Sequence, residues 1–310
     1  MKKRFPSALL LPLGLMLAAA SAAQDRAPLQ KMAEGVWASP TDNGSNVGWF
    51  TLGDGVVVVD AGRDAAAARR ILKDVAETAA KPVRYVVITH AHGDHAGGAR
   101  TFAEAGAQII CQENAAPGVL ASLNPSGSPA GQRLGVVAVA DRLMFVGGSR
   151  RAEIYWLGTA HTRGDLVVLL PQEKVLFSGD LALTASLPFM RSPDADPPGW
   201  ERTLPRLAAA PVETMVPGHG QIGPRAGIAD TLAYVRRVNA LSTQLLQARV
   251  PEEYVHVELR KPENRIENVA VSDDHVANVK AVMKLETERV AKATPSPASV
   301  RRPTPSPKGR

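Results

Sequence analysis

The chain has 310 residues, 45% of them hydrophobic, a formal charge of +6 and a single cysteine. That length and apolar content can build one main domain with a sizeable core, and they exclude a coiled coil or a collagen-like rod; the lone Cys111 excludes any disulfide within the chain. Lys2, Lys3 and Arg4 at one end and Lys292, Arg301, Arg302, Lys308 and Arg310 at the other carry the positive excess, so the body between them is slightly acidic, which argues against a nucleic-acid enzyme.

The order of basic residues, an apolar run over 8–20 and the small residues Ala20, Ser21, Ala22 and Ala23 is that of a secretory signal peptide occupying 1–23. The run contains Pro12 and is shorter than the ~20 apolar residues a spanning helix needs. A soluble periplasmic or secreted protein is expected, with no stable membrane anchor after cleavage near Ala22 or Ala23.

Runs at 47–52 and 56–59, split by Gly53, Asp54 and Gly55, predict a hairpin whose second strand is buried on both faces. Ala68, Ile71, Leu72, Val75 and Ala79 recur at helical spacing and predict a helix over 64–80, closed by Pro82. A strand at 85–88, a helix at 97–105, a strand at 108–111 and a helix at 113–123 follow. The second half offers strands at 143–146, 153–157, 166–170, 175–177 and 214–216, with helices at 200–210 and 226–246. Val255, Val257 and Leu259 alternate as an edge strand would, and 272–288 reads as a capped closing helix. Pro295, Pro297, Pro303, Pro305 and Pro307 mark 291–310 as a disordered basic tail. Interleaved strands and helices with adjacent strand pairs predict an α/β (α+β) architecture of two mixed sheets with helices outside.

The chemistry concentrates after the strand at 85–88, where Thr89, His90, Ala91, His92, Gly93, Asp94, His95, Ala96, Gly97 and Gly98 follow one another. In extended backbone His90 and His92 point to the same side and can share a metal. Asp94 and His95 fall where the chain must turn, which lets them face a second ion. A lone histidine is most often a hydrogen-bonded structural residue, yet five of the seven histidines, at 90, 92, 95, 161 and 219, sit in glycine-containing strand-end contexts. His256 and His275 lack that setting and are read as structural, as is Cys111 at the end of an apolar run.

The run from Thr89 to Gly98 resembles the T-H-x-H-x-D-H-x-G-G signature of the metallo-β-lactamase superfamily. His161 within 158–165, Ser178, Gly179 and Asp180 after the strand at 175–177, and His219 within 216–220 match the later motifs in order. The resemblance covers roughly 35–220. It implies an αββα sandwich with metals at one edge of the sheets, as a catalytic domain over 24–290 with a C-terminal helical extension. It implies that His90, His92 and His161 hold one ion, Asp94, His95 and His219 another, and that Asp180 bridges them. Asp60 matches the family's carboxylate beneath the site and is assigned the orientation of a ligand histidine, against the alternative of a simple turn residue.

Histidine nitrogen and carboxylate oxygen suit zinc, two ions being expected, and the same ligands accept iron or manganese. Such a pair of ions supplies hydroxide near neutral pH. The expected activity is therefore an exported zinc-dependent metallo-hydrolase in which a metal-bridged hydroxide, held by Asp94 and Asp180, cleaves a thioester, ester, lactone or amide bond of a small molecule. Asp94 is the catalytic candidate, and no further cofactor or nucleic-acid partner is expected. In this resemblance β-lactamases usually carry Cys or Ser where Asp180 stands, and one major branch carries Arg where His95 stands, which ranks thioesterase-like hydrolysis, as in the hydroxyacylglutathione hydrolase type of dinuclear site, above β-lactamase activity. A mononuclear iron persulfide dioxygenase shares much of the motif and is the other alternative. Segments 42–47 and 183–200, the latter with Phe189, Met190 and Arg191, are expected to wall the pocket.

Overall fold

β-Branched residues in short runs separated by turns build the first sheet. The computed structural model describes residues 28–40 and 44–293. Strands β1 (Gln30–Ala33), β2 (Val36–Pro40), β3 (Asn46–Leu52) and β4 (Gly55–Val59) form an antiparallel meander. Strand β4 then pairs in parallel with β5 (Val83–Val87), β5 with β6 (Gln108–Gln112), and β6 with β7 (Val137–Val139). The seven strands lie in chain order across the sheet.

A parallel neighbour starts at the far edge of the sheet, so each parallel step needs a crossover. Helix α1 (Ala65–Ala79) makes the first, α2 (Gly93–Ala96) and α3 (Ala99–Glu104) the second, and α4 (Ala116–Leu123) the third. The Asp64 carboxylate caps α1 by accepting from the Ala67 N–H at 2.8 Å, and Ala67, Ala68, Ile71 and Val75 turn its apolar stripe inward.

The second sheet comprises β8 (Arg142–Gly147), β9 (Arg150–Trp156), β10 (Leu166–Leu170), β11 (Val175–Gly179), β12 (Thr214–Pro217) and β13 (Gly223–Pro224), ordered β13-β12-β11-β10-β9-β8. Its one parallel pair, β11 with β12, is bridged by α5 (Pro197–Ala208). Phe50, Val57, Val87 and Ile110 of the first sheet meet Ile154, Val168, Leu170 and Phe177 of the second in the inner core. Trp49, Ile71, Phe102 and Val119 fill the layer under α1, α3 and α4. Trp200, Val238, Leu241 and Val279 fill the layer under α5, α6 (Ala226–Gln247) and α8 (Asp273–Ala293). The result is the four-layer arrangement of two mixed sheets flanked by helices.

One local expectation is overturned. Residues 255–259 form no edge strand: α7 (Val255–Glu258) is a single helical turn. Val255 and Leu259 are fully buried while Val257 is 44% exposed, so the apolar spacing that matters is i,i+4 rather than i,i+2. The closing helix is capped as expected, Ser272 Oγ accepting from the His275 N–H at 3.2 Å. Strands β1, β2, β7 and β13 carried no sequence signal; β1 is half-polar, β7 is mostly exposed and β13 has two residues.

Cys111 is buried, and burial pushes its thiol up to about 12, as an inert core residue requires. Among the described residues no helix is long and apolar enough to cross a membrane. The signal-like run 1–23 lies outside the described residues, and so does the tail 291–310 except for its first three positions, which continue α8.

Candidate metal centre

The candidate ligands sit where strands of both sheets end along one edge of the sandwich. Strand β5 runs out through Thr89 into His90 and His92, and His92 is still extended, with φ −64° and ψ 147°. The chain then winds into the one-turn α2, which presents Asp94 and His95. His161 lies between β9 and β10, Asp180 directly follows β11, and His219 follows β12. The turn after β5 packs so closely on the β4–α1 connection that a Cβ on Gly98 would stand 2.2 Å from the Ala61 carbonyl oxygen. A Cβ on Gly218 would stand 2.0 Å from Asp180 Oδ1, so Asp180 takes its place only because residue 218 has no side chain.

The seven predicted ligands come together as two adjoining groups: His90, His92, His161 and Asp180, and Asp94, His95 and His219. In the first, His90 Nε2 lies 3.0 Å from His92 Nδ1, and His161 Nε2 lies 3.3 Å from His90 Nε2 and 3.1 Å from His92 Nδ1. In the second, Asp94 Oδ2 lies 3.0 Å from His219 Nε2 and 3.5 Å from His95 Nε2, and the two ring nitrogens are 3.4 Å apart. Asp180 reaches both, its Oδ2 being 3.4 Å from His161 Nε2 and 3.5 Å from His219 Nε2, and its Oδ1 3.4 Å from His95 Nε2.

Tetrahedral coordination at about 2.0–2.1 Å puts neighbouring ligand atoms about 3.3–3.4 Å apart, which lies within the 3.0–3.9 Å range found here. The protonation pattern points the same way. His161 Nδ1 faces the Phe189 carbonyl at 3.0 Å and His95 Nδ1 faces Asp60 Oδ2 at 2.8 Å. Thr89 Oγ1 donates to Asp60 and Ser192 Oγ to Asp194 Oδ1, which leaves those hydroxyls to accept from His90 Nδ1 and His92 Nε2 at 3.2 and 3.3 Å. His90, His92 and His161 can thus carry their protons on the outer nitrogens and turn a lone pair inward, and His95 does the same once its second proton leaves Nε2. Lone pairs at such spacing, beside an Asp180 Oδ1 that is buried without a hydrogen bond, call for cations between them, and the residues fit a pair of divalent metals.

Burial lowers His90 well below the usual histidine range and His161 to about 4, so both are neutral, as ligands must be. Burial also opposes protonation of His95, but Asp60, Asp180 and Asp94 outweigh it and hold the metal-free ring at about 9. Desolvation works against an ionised Asp94, yet the His219 contact and the charge of His95 keep it well below the normal carboxylate range.

Asp60 does both jobs weighed for it. It occupies a left-handed turn position, φ 66°, after β4, and its buried carboxylate accepts from the Thr89 N–H at 2.7 Å and the Thr89 hydroxyl at 2.9 Å as well as from His95. Ser178 donates its hydroxyl to the Ala182 carbonyl and is structural. His256 is exposed, and His275 is buried against the Tyr234 hydroxyl at 3.0 Å.

A cleft of about 570 Å³ opens on His92, Asp94, Asp180 and His219, with Phe189 and Arg191 among its walls. Of the segment 183–200, the part up to Arg191 lines the pocket as expected, whereas Met190 is buried in the core and residues 192–200 are not among the walls. The described part of 42–47 does not: Ser45 donates to the Asp94 carbonyl at 2.7 Å, and Asn46 donates to the carbonyls of Pro217 and Gly220 at 2.9 and 3.0 Å, bracing the two ligand loops from behind. Residues 41–43 lie outside the described residues. Ser192 and the Phe189 carbonyl, which orient two ligand rings, had no sequence signal, since a backbone acceptor has no residue type to read.

Comparison with known proteins gives consistent matches. Residues 40–219 match the metallo-beta-lactamase superfamily. A metallo-beta-lactamase type 2 from Bacillus cereus is 32% identical over 181 residues, covering 57% of this chain and 68% of the relative. A linear primary-alkylsulfatase from a Pseudomonas species is 24% identical over 226 residues, covering 59% of this chain and 43% of the relative. Among solved structures, a metallo-beta-lactamase from Pontibacter korlensis superposes with a TM-score of 0.57 at 28% identity, covering 67% of this chain and 98% of that one. With the matched segment holding the His/Asp cluster at the strand ends, the chain belongs to the metallo-beta-lactamase superfamily and is a metal-dependent hydrolase.

Proposed function

We propose that the chain is an exported hydrolase that cleaves a thioester, ester, lactone or amide bond of a small molecule at a dizinc centre. His90, His92 and His161 would hold one ion, Asp94, His95 and His219 the other, and Asp180 both. The observation that carries this reading is the reach of Asp180, whose two oxygens lie 3.4–3.5 Å from ring nitrogens of both groups. When bound, such a pair supplies a water-derived nucleophile at neutral pH and Lewis acidity for the scissile carbonyl.

The chain's own residues supply the rest. Asp94 lines the cleft and is half-buried, which suits it to align the attacking water, take its proton and pass it to the leaving group. Asp60, Thr89, Ser192 and the Phe189 carbonyl fix the rings, so their lone pairs need no reorganisation when charge develops. Phe189 and Arg191 shape the substrate wall, the guanidinium lying 4.5 Å from the ring centroid.

Export rests on the basic, apolar and small-residue order of 1–23, the catalytic unit on 24–290. N-terminal sequencing of the secreted or periplasmic product tests the former, with a start next to Ala22 or Ala23 expected. β-Lactam hydrolysis is the second reading, favoured by the likeness to the Bacillus cereus metallo-beta-lactamase type 2; Asp180 and His95 favour the first.

Elemental analysis of protein purified without added metal, beside His92→Ala and Asp180→Ala, tests the centre. About two zinc ions per chain, the number this chemistry requires, lost in the variants together with turnover of a thioester, lactone and β-lactam panel, is the expected result. One iron per chain with oxygen uptake on a persulfide would replace the reading with a dioxygenase.

A further inference from the structure

We propose that Asn278, on the closing helix α8 and well beyond the matched segment 40–219, is a positioning residue that holds His161 in its metal-binding orientation through the backbone of 188–190.

His161 is buried, and the outer nitrogen of its ring has one protein acceptor, the carbonyl of Phe189, at 3.0 Å. The peptide unit that contains that carbonyl and the one before it are both held by a single side chain. Asn278 Nδ2 donates to the Pro188 carbonyl at 2.7 Å, and Asn278 Oδ1 accepts from the Met190 N–H at 3.1 Å. Because the Phe189 carbonyl shares a planar peptide with the Met190 N–H, and the preceding peptide is tied to the same amide, that carbonyl has little freedom to swing from the His161 ring. Asn278 is itself buried, and its Nδ2 also donates to the Tyr234 hydroxyl of α6 at 3.0 Å, which in turn contacts His275 Nδ1. A second tie, from Arg191 Nη2 to Asp274 Oδ1 at 2.9 Å, fixes the same loop to the first turn of α8.

The amide is the one side chain of this size that offers a donor to Pro188 and an acceptor to Met190. A carboxylate at 278 would face the Pro188 carbonyl with oxygen against oxygen. A backbone acceptor behind a ligand histidine sets both the tautomer and the ring angle, so the helical extension, which also adds Asp274 and Asn278 to the cleft wall, acts on His161 through the backbone of 188–190.

The inference rests on His161 being a ligand, and the test separates the two. Metal-free wild type, His161→Ala, Asn278→Asp and Met283→Ala are titrated with Co2+ against a chromophoric chelator, with the visible Co2+ spectrum and the ring 15N shifts of His161 recorded. Met283 is a buried α8 residue outside the clamp and serves to match any loss of thermal stability. Asn278→Asp should bind its tighter ion about tenfold more weakly, the lower end of what outer contacts of ligand histidines cost. It should also change the Co2+ spectrum and shift His161 from its single Nδ1–H tautomer; Met283→Ala should do none of these. If Asn278→Asp does not fold, Asn278→Ser carries the same expectation. Wild-type affinity, spectrum and tautomer in the Asn278 variant, while His161→Ala loses the ion, would overturn the inference. Unchanged Co2+ binding in His161→Ala would instead overturn the assignment of His161.

Discussion

Asp60→Asn is the sharpest perturbation of the centre that leaves every proposed ligand in place. Asparagine keeps the shape and tolerates the left-handed backbone at φ 66°, so the turn after β4 should survive. Its amide oxygen can still accept from the Thr89 N–H, which leaves Nδ2 pointing at the Thr89 hydroxyl and at His95 Nδ1. The hydroxyl can adapt by accepting. The ring cannot, because Nδ2–H and Nδ1–H are two donors 2.8 Å apart in the present geometry. In the neutral ring that an ion requires, the relief is to keep the one proton on Nε2, the nitrogen facing Asp94, Asp180 and His219, rather than on Nδ1. The expected cost is about 10–100-fold in affinity at the second ion, or about 1.4–2.7 kcal/mol, with the first ion held by His90, His92 and His161 nearly unaffected. Stepwise Zn2+ titration of metal-free protein against chelators of graded affinity resolves the two events. Equal weakening of both ions, or of neither, would refute this account of Asp60 as a tautomer lock.

The two ions should also differ in pH dependence. His95 is held at about 9 in the metal-free chain, so below that value the second ion must displace a proton and its affinity should fall with pH; the first meets a His161 that titrates at about 4 and should be flat from about pH 6 to 9, as calorimetry in buffers of different ionisation enthalpy would show. Gly218→Ala should abolish turnover while the protein still folds, because a Cβ 2.0 Å from Asp180 Oδ1 displaces that carboxylate; metal stoichiometry beside far-UV circular dichroism separates lost ions from lost fold. Phe177→Ala should lower stability by about 3–5 kcal/mol in a urea melt, since the ring is buried and packs on Phe50 at 6.3 Å between the sheets.

Much of this was legible from residue type and spacing. The hairpin at Gly53–Gly55, the runs that became β10 and β11 and the stripe of α1 are local patterns in which each residue's neighbours decide its state, and the observed elements fall within a few residues of them. The ligands were legible because metal chemistry restricts their residue types and each stands at a strand end. What escaped depends on distant chain. Strand β7 forms because β6 offers it an edge, at Ile110 and Gln112, and the turn at 255–258 is helical because Val255 and Leu259 share one buried face. The Phe189 carbonyl and Asn278 act through backbone geometry that no motif records.

The placement of the ligands ties the metal centre to the packing of the whole sandwich. His90, His92, Asp94 and His95 belong to the first sheet's edge, whereas His161, Asp180 and His219 belong to the second. Each proposed ion therefore takes ligands from both sheets, and a shift of one sheet on the other changes ligand spacing directly. Backbone hydrogen bonds pin that register beside the site. Leu166 N–H donates to the Thr89 carbonyl at 2.7 Å, Asn46 N–H to the Gly218 carbonyl at 2.7 Å, and Ala61 N–H to the His95 carbonyl at 2.7 Å. The first two join the sheets to each other, and the third joins α2 to the strand end that carries Asp60. Close-packed interiors resist small shifts, so the inner core of Phe50, Val57, Val168 and Phe177 works as the rigid spacer of the site. An ion drawing on both edges in turn favours the folded pairing of the sheets by mass action, which makes metal affinity and sandwich stability two readings of one coupling.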